Sequence, residues 1–254
     1  MNAFNPLFRS LLCTGLLLAG TSAPALSLAV WDFNGIDLDD LNPANRYELS
    51  AGSTTVGIAQ AALRLGSGVT HSTGAGQYGF KVANTEAQSS LAGAIANGHY
   101  IEFSLTAAAG TTLHLDSLAF NGQSAASGAN NIALLSSVGG FSDGAAITTR
   151  SGIAGTTGGF DTDASGFGNP VDLSMPAFQN IASIRFRLYG WNTSGSTGAT
   201  YFRNLSGDDL VVSGTVNVPE PASYALLCGG LGLLVLLTRR WVRTLNIERR
   251  RTEE

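Results

Sequence analysis

The chain reads as mainly β: an antiparallel β-sandwich with one short helix, framed by an N-terminal signal helix and a C-terminal single transmembrane helix. Three observations predict this. Apolar residues recur at every second position in short runs through the middle of the chain, Gly-rich turns separate those runs, and two continuous apolar stretches lie near the ends. Successive side chains of a strand point to opposite faces, so period two marks strands with one face buried.

In chain order, residues 1–29 read as a secretory signal peptide. Arg9 supplies the positive n-region and residues 11–19 the short apolar run. Ala23-Pro24-Ala25 is a small-residue cleavage site, and Ser27-Leu28-Ala29 is a second. The exported body then spans residues 30–216, long enough to bury a core as one domain.

Within the body, Trp31 and Phe33 alternate with Asp32 and Asn34, and Leu63 and Leu65 flank Arg64. Tyr78, Phe80 and Val82 flank Gly79 and Lys81, and Ile101, Phe103 and Leu105 flank Glu102 and Ser104. Leu113 and Leu115 share one parity while Leu118 and Phe120 share the other, which predicts a β-bulge near Asp116 or Ser117. Further strands are expected at Ile132 to Leu135, at Ile184, Phe186 and Leu188, at Tyr201 to Leu205, and at Leu210, Val212 and Val216. Roughly ten short strands at this spacing suggest a sandwich. Residues 86–96 carry good helix formers, with Asn84 or Thr85 as cap and Asn97-Gly98 as stop, and predict one short helix. Residues 214–221 look like the one linker, joining body to anchor.

The C-terminal stretch is the most specific. Residues 221–238 carry no charge, and at about 1.5 Å per helical residue they span roughly 27 Å, close to the apolar thickness of a bilayer. Arg239, Arg240 and Arg243 follow, with Arg249, Arg250 and Arg251 beyond. The positive-inside bias leaves the C-terminus in the cytoplasm and everything before Pro219 outside. Pro219 and Pro221 flank Glu220 and hold the backbone extended, because proline lacks an N–H and disfavours helix in the residue before it. An extended peptide at the outer membrane face is the form a processing enzyme needs.

Pro219-Glu220-Pro221, an apolar helix and then an arginine cluster resemble the PEP-CTERM sorting signal of Gram-negative bacteria that make exopolysaccharide. The resemblance implies recognition by an exosortase-type processing protease, transient anchorage in the inner membrane, and release to the cell surface or biofilm matrix. It covers residues 217–243, and residues 244–254 form a cytoplasmic basic and acidic tail. The body, from Trp31-Asp32-Phe33-Asn34-Gly35 to Phe202-Arg203-Asn204-Leu205, resembles the jelly-roll domains found ahead of such signals. These are similar in outline to laminin-G-like and carbohydrate-binding modules, and the resemblance implies no defined active-site residues.

Charge and cysteine content narrow the function. The body holds seven basic residues (Arg46, Arg64, Lys81, Arg150, Arg185, Arg187, Arg203) against fourteen acids, and this acidity argues against a nucleic-acid partner. Both cysteines, Cys13 and Cys228, fall in the end segments, so no disulfide or thiolate metal site is expected in the body.

Two enzyme-like patterns fail on context. Gly140-Phe141-Ser142-Asp143-Gly144 fits G-x-S-x-G, but His71, His99 and His114 all precede Ser142, and a nucleophile elbow needs a helix after the serine and a later histidine. Residues 74–79 fit G-x-G-x-x-G but run into a strand instead of opening a helix. No histidine sits at zinc-ligand spacing to another, and His114, alternating with Leu113 and Leu115, should face solvent.

A polysaccharide-acting enzyme would need two carboxylates across a groove, for which Glu102 and Asp116 are the candidates. Cross-strand pairing of Glu102 with Arg185 and Arg187 is the competing and favoured expectation. Asp37, Asp39 and Asp40, and Asp161 with Asp163, cluster acids in loops. They are candidates for a structural calcium, against the plainer reading of solvated turns. Tyr189, Trp191 and Tyr201 surround a Gly/Ser/Thr loop and are the candidate sugar-binding rings, with core packing as the alternative. The function expected is therefore a non-catalytic exported protein with exopolysaccharide as its candidate ligand, the alternatives being a polysaccharide-acting enzyme and a permanently anchored single-pass surface protein.

Overall fold

The computed structural model describes residues 26–72, 76–82, 88–155, 160, 170–195 and 198–218. The signal segment through Ala25, the Pro219–Glu220–Pro221 motif and the membrane segment with Arg239, Arg240 and Arg243 lie outside them. Among the described residues, no helix is long and apolar enough to cross a membrane.

The described chain is mainly β, with three sheets, in each of which every strand pairing is antiparallel. Strands are numbered in chain order. A five-stranded sheet runs β12 (Val171–Asp172), β8 (Thr112–Phe120), β15 (Leu210–Asn217), β1 (Leu26–Trp31), β3 (Ser53–Thr54). A six-stranded sheet runs β11 (Thr148–Ser151), β10 (Ala129–Ser136), β13 (Ser183–Thr193), β7 (Tyr100–Ala107), β4 (Ile58–Leu65), β2 (Leu49–Ser50). A four-stranded sheet runs β5 (Thr70–His71), β6 (Gln77–Lys81), β14 (Ala199–Arg203), β9 (Gly122–Ser124).

All three sheets contribute to one core. Leu28, Trp31 and Leu118 come from the first, Phe103, Phe186 and Leu188 from the second, and Phe80 and Phe202 from the third. Phe202 joins them: its ring centroid lies 5.2 Å from Phe120, 6.1 Å from Phe33 and 6.3 Å from Phe103. Offset and edge contacts at these distances suit the ring quadrupoles and add to the area they bury.

The parity switch in β8 is a bulge, as its sequence predicts. The register with β15 shifts between Ser213 and Gly214, leaving Asp116 unpaired and keeping Leu113, Leu115, Leu118 and Phe120 inside. The bulge is satisfied locally: Leu173 N–H donates to the Asp116 carbonyl at 2.9 Å, and Gln179 Nε2 donates to that of Leu115 at 2.8 Å. Gly214 is required opposite it, because a Cβ there would lie 2.1 Å from the His114 carbonyl oxygen.

Three expected boundaries move. First, the folded body starts before residue 30. Leu26 to Trp31 form β1, paired with β15, and Leu28 and Ala29 are fully buried. Second, Gly214 to Asn217 are no linker but the end of β15, paired with Leu115 to Thr112. Third, α1 spans Leu91–Asn97, later than expected, because the Ser90 hydroxyl accepts the Gly93 N–H and fixes the cap there. Its predicted stop holds, with Gly98 left-handed at φ 69° and donating to the Ala94 and Ile95 carbonyls.

Helix α1 covers part of the outer face of the six-stranded sheet. Leu91 and Ala94 pack on Ala133, Leu135 and Tyr189 in a second cluster. Strand β10 is thus buried on both faces, Ile132 and Leu134 toward the main core, and Ala133 and Leu135 under the helix. That is why it reads as an unbroken apolar run.

Candidate functional site

Beyond the helix, the outer face of the six-stranded sheet is polar. In β7 the residues Ile101, Phe103, Leu105 and Ala107 point inward, which sends Tyr100, Glu102, Ser104 and Thr106 outward. In β13 the same alternation sends Arg185, Arg187 and Tyr189 outward. Register then sets these residues in rows across β4, β7 and β13. Arg64, Glu102 and Arg187 form one row, Ala62, Ser104 and Arg185 the next, and Gln60, Thr106 and Ser183 the last.

The first row is an ion-pair ladder. Arg187 Nε donates to Glu102 Oε2 at 2.7 Å, and its Nη1 donates to the Tyr189 hydroxyl at 3.2 Å. Its guanidinium also lies over Tyr100 and Phe141, 4.2 and 4.0 Å from the ring centroids. Burial lowers the Arg187 pKa, but the hydrogen bonds with Tyr189 and Glu102 outweigh it and hold the group above its ordinary value. Burial also raises the Tyr189 phenol, with Arg187 opposing. Arg64 Nε donates to Glu48 Oε2 at 2.9 Å. The expected pairing of Glu102 with both arginines is what the structure has, but unequally: Arg185 Nη1 lies 3.9 Å from the oxygen Arg187 already holds.

Next to this ladder lies an open groove of about 350 Å³, lined by Gln60, Arg64, Glu102, Ser104, Thr106 and Arg185 with Ser137, Ser183 and Ile184. The Arg185 side chain is 53% exposed at its edge. Hydroxyls, an amide and two guanidinium groups converge here, a set suited to a hydroxylated or anionic ligand.

The aromatic trio does not form the expected platform. Tyr189 is fully buried, under α1 and edge-on to Tyr100 at 5.2 Å, so it has no free face to stack on a sugar. Trp191 is half-buried against the same cluster. Tyr201 stands in the four-stranded sheet with its hydroxyl bonded to Gln123 Oε1 at 3.1 Å.

Glu102 and Asp116 are not on neighbouring strands either. β7 lies between β13 and β4, while β8 belongs to the five-stranded sheet, so register gives the two carboxylates no shared groove. Ser142 is exposed, donates to the Gly139 carbonyl, and is followed by a three-residue 3-10 turn where a nucleophile elbow needs a helix.

In the acidic loop the Asp37 carboxylate accepts the Asp39 N–H at 3.0 Å, and Asp39 Oδ1 meets His71 Nε2 at 2.6 Å. Asp40 is exposed, and Asp161 and Asp163 lie outside the described residues. Among the described residues, no group of three or more His, Cys, Asp or Glu could hold a metal ion. His114 is half-buried, its Nδ1 3.1 Å from Gln179 Oε1 instead of free in solvent.

The groove was missed because it is assembled from residues far apart in the chain: Glu102 and Arg187 are 85 positions apart. The one trace in the sequence is the polar parity of β7 and β13, where Ser104, Thr106, Arg185 and Arg187 interleave with core residues. No family model, curated protein or solved structure matches this chain.

Proposed function

We propose that this is an exported, non-catalytic protein of the cell surface or extracellular matrix, sorted by its C-terminal signal, whose body holds exopolysaccharide. In this reading the three sheets stack as a β-sandwich of jelly-roll type, similar in outline to laminin-G-like and carbohydrate-binding modules. Pro219, Glu220 and Pro221 are the motif read by an exosortase-type protease. The uncharged stretch before Arg239 holds the chain in the inner membrane until it is cut, and Arg239, Arg240 and Arg243 fix its orientation.

One observation carries the sorting part: three features stand in the right order in the sequence, directly after the last of the described residues. β15 ends at Asn217 and Val218 is exposed, so the described fold closes just before Pro219. Support for the binding part is the groove, whose acid is engaged by Arg187 while its hydroxyls and Arg185 face outward. Mass spectrometry of the C-terminus of protein recovered from the producing cells tests the sorting. Mature chains should lack residues 226–243, and chains that retain them would mean a permanently anchored surface protein.

A further inference from the structure

We infer that the groove on the six-stranded sheet takes a carboxylated saccharide, with Arg185 gripping the carboxylate and the hydroxyl row holding the sugar. This rests on the polysaccharide reading above and adds the class of sugar.

The case begins with charge. Along this face Arg64 is matched by Glu48 and Arg187 by Glu102. Arg185 is left with a 3.9 Å share of a carboxylate that already holds a closer partner. The body as a whole is acidic, so an exposed guanidinium with only a long share of a carboxylate makes the edge of this groove locally positive. A guanidinium presents N–H groups in a planar fork that fits a carboxylate at two points. Arg185 is also held ready: its backbone N–H donates to the Ser137 hydroxyl at 3.1 Å, and its guanidinium carbon lies 5.4 Å from the Phe141 ring centroid.

The rest of the lining points to a sugar and not to an acidic peptide. Gln60, Thr106 and Ser183 offer donors and acceptors at strand spacing, Ser104, whose hydroxyl donates to the Ala62 carbonyl at 3.3 Å, adds an acceptor, and Ile184 is almost fully buried. A peptide ligand needs apolar or aromatic anchors in a dry pocket, and this groove provides none. A ring carrying several hydroxyls and one carboxylate matches what is offered.

The test uses the full-length protein in detergent, with calorimetry against alginate and polygalacturonate oligosaccharides. Carboxyl-reduced versions of both and poly-glutamate are the comparison probes. The uronates should bind and the reduced forms should bind about tenfold or more weakly. Arg185→Gln should lose about ten- to hundredfold on the uronates, the range for a charge-assisted hydrogen bond, with the melting temperature kept. Gln60→Glu, which puts a second carboxylate in the groove, should weaken the same ligands. Binding should fall as salt rises. Equal binding of native and reduced sugars, with Arg185→Gln unchanged, would overturn the carboxylate and leave the polysaccharide reading standing. Poly-glutamate binding as tightly as alginate would overturn the sugar, and no binding of any saccharide would overturn both readings.

Discussion

The proposed signal peptide has two candidate cleavage sites, after Ala25 and after Ala29, and the fold favours the first. Cutting after Ala29 removes Leu26 to Ala29, four of the six residues of β1. Leu28 and Ala29 are fully buried. Loss of a buried leucine side chain alone costs about 2–5 kcal/mol. The Leu28 carbonyl accepts the Thr55 N–H at 3.0 Å, and Ala29 is the register partner of both Val212 and Thr54. Loss of that hydrogen bond at half-buried Thr55 adds about 0.5–1.5 kcal/mol, bringing the deficit to roughly 2.5–6.5 kcal/mol against a typical total of about 5–15 kcal/mol. The shorter chain should therefore be marginal or unfolded. Mature protein should begin at Leu26, as Edman sequencing or intact-mass measurement of exported material will show. Urea denaturation of versions starting at Leu26 and Val30 should give a far lower midpoint for the second. A natural N-terminus at Val30 with an unchanged midpoint would refute the reasoning.

Other consequences follow from single residues. Asp209 is 1% exposed, and its two carboxylate oxygens accept the Phe33 and Leu205 N–H groups at 2.8 and 2.7 Å. Asp209→Ala should cost about 2–5 kcal/mol in urea denaturation, and Asp209→Asn less, because one oxygen remains. Gly214→Ala should cost about 1–3 kcal/mol, since the backbone at the bulge must part to admit the methyl. Burial, with the Glu48 charge adding to it, raises the Tyr78 phenol well above its ordinary value, and that phenol donates to the Tyr47 carbonyl at 2.6 Å. A raised folded-state pKa means stability is full below about pH 10 and falls as pH rises above it, because the unfolded phenol ionises first. Melting followed from pH 8 to 11 should show that decline, and Tyr78→Phe should flatten it.

How much of this could be read from the sequence depends on how local each signal is. The bulge in β8 is local, since four leucine and phenylalanine positions change parity within eight residues, and it was legible. The stop of α1 at Gly98 is local too. Its start was not, because Gln88 is as good a helix former as the residues that do form it, and the cap at Ser90 decides. Leu26 to Ala29 misled for a different reason: leucines alternating with small residues serve equally as the end of a signal peptide and as an inner strand. Tyr189 shows the limit of parity itself. Alternation places it correctly on the outer face, but outward is not exposed once α1 lies across that face. The groove depends on register among three strands, and nothing in any one strand states its register.

The end of β15 bears on the sorting proposal more directly than the groove does. Thr112 and Asn217 are register partners, so the sheet is paired up to one residue short of Val218, and the proposed motif starts at the residue after that. A single residue spans at most about 3.6 Å, too little for a protease cleft to grip extended chain upstream of Pro219 without prising Val216 and Asn217 from β8. Cleavage should therefore be limited by fraying of this strand end. A spacer of six Gly/Ser residues placed between Val218 and Pro219 leaves the body, the motif and the membrane segment unaltered, and should speed processing severalfold in pulse-chase labelling. Gly214→Ala, by loosening the same strand, should speed it as well. If neither change alters the rate, the cut lies on the membrane side of the motif or the strand end is not the barrier.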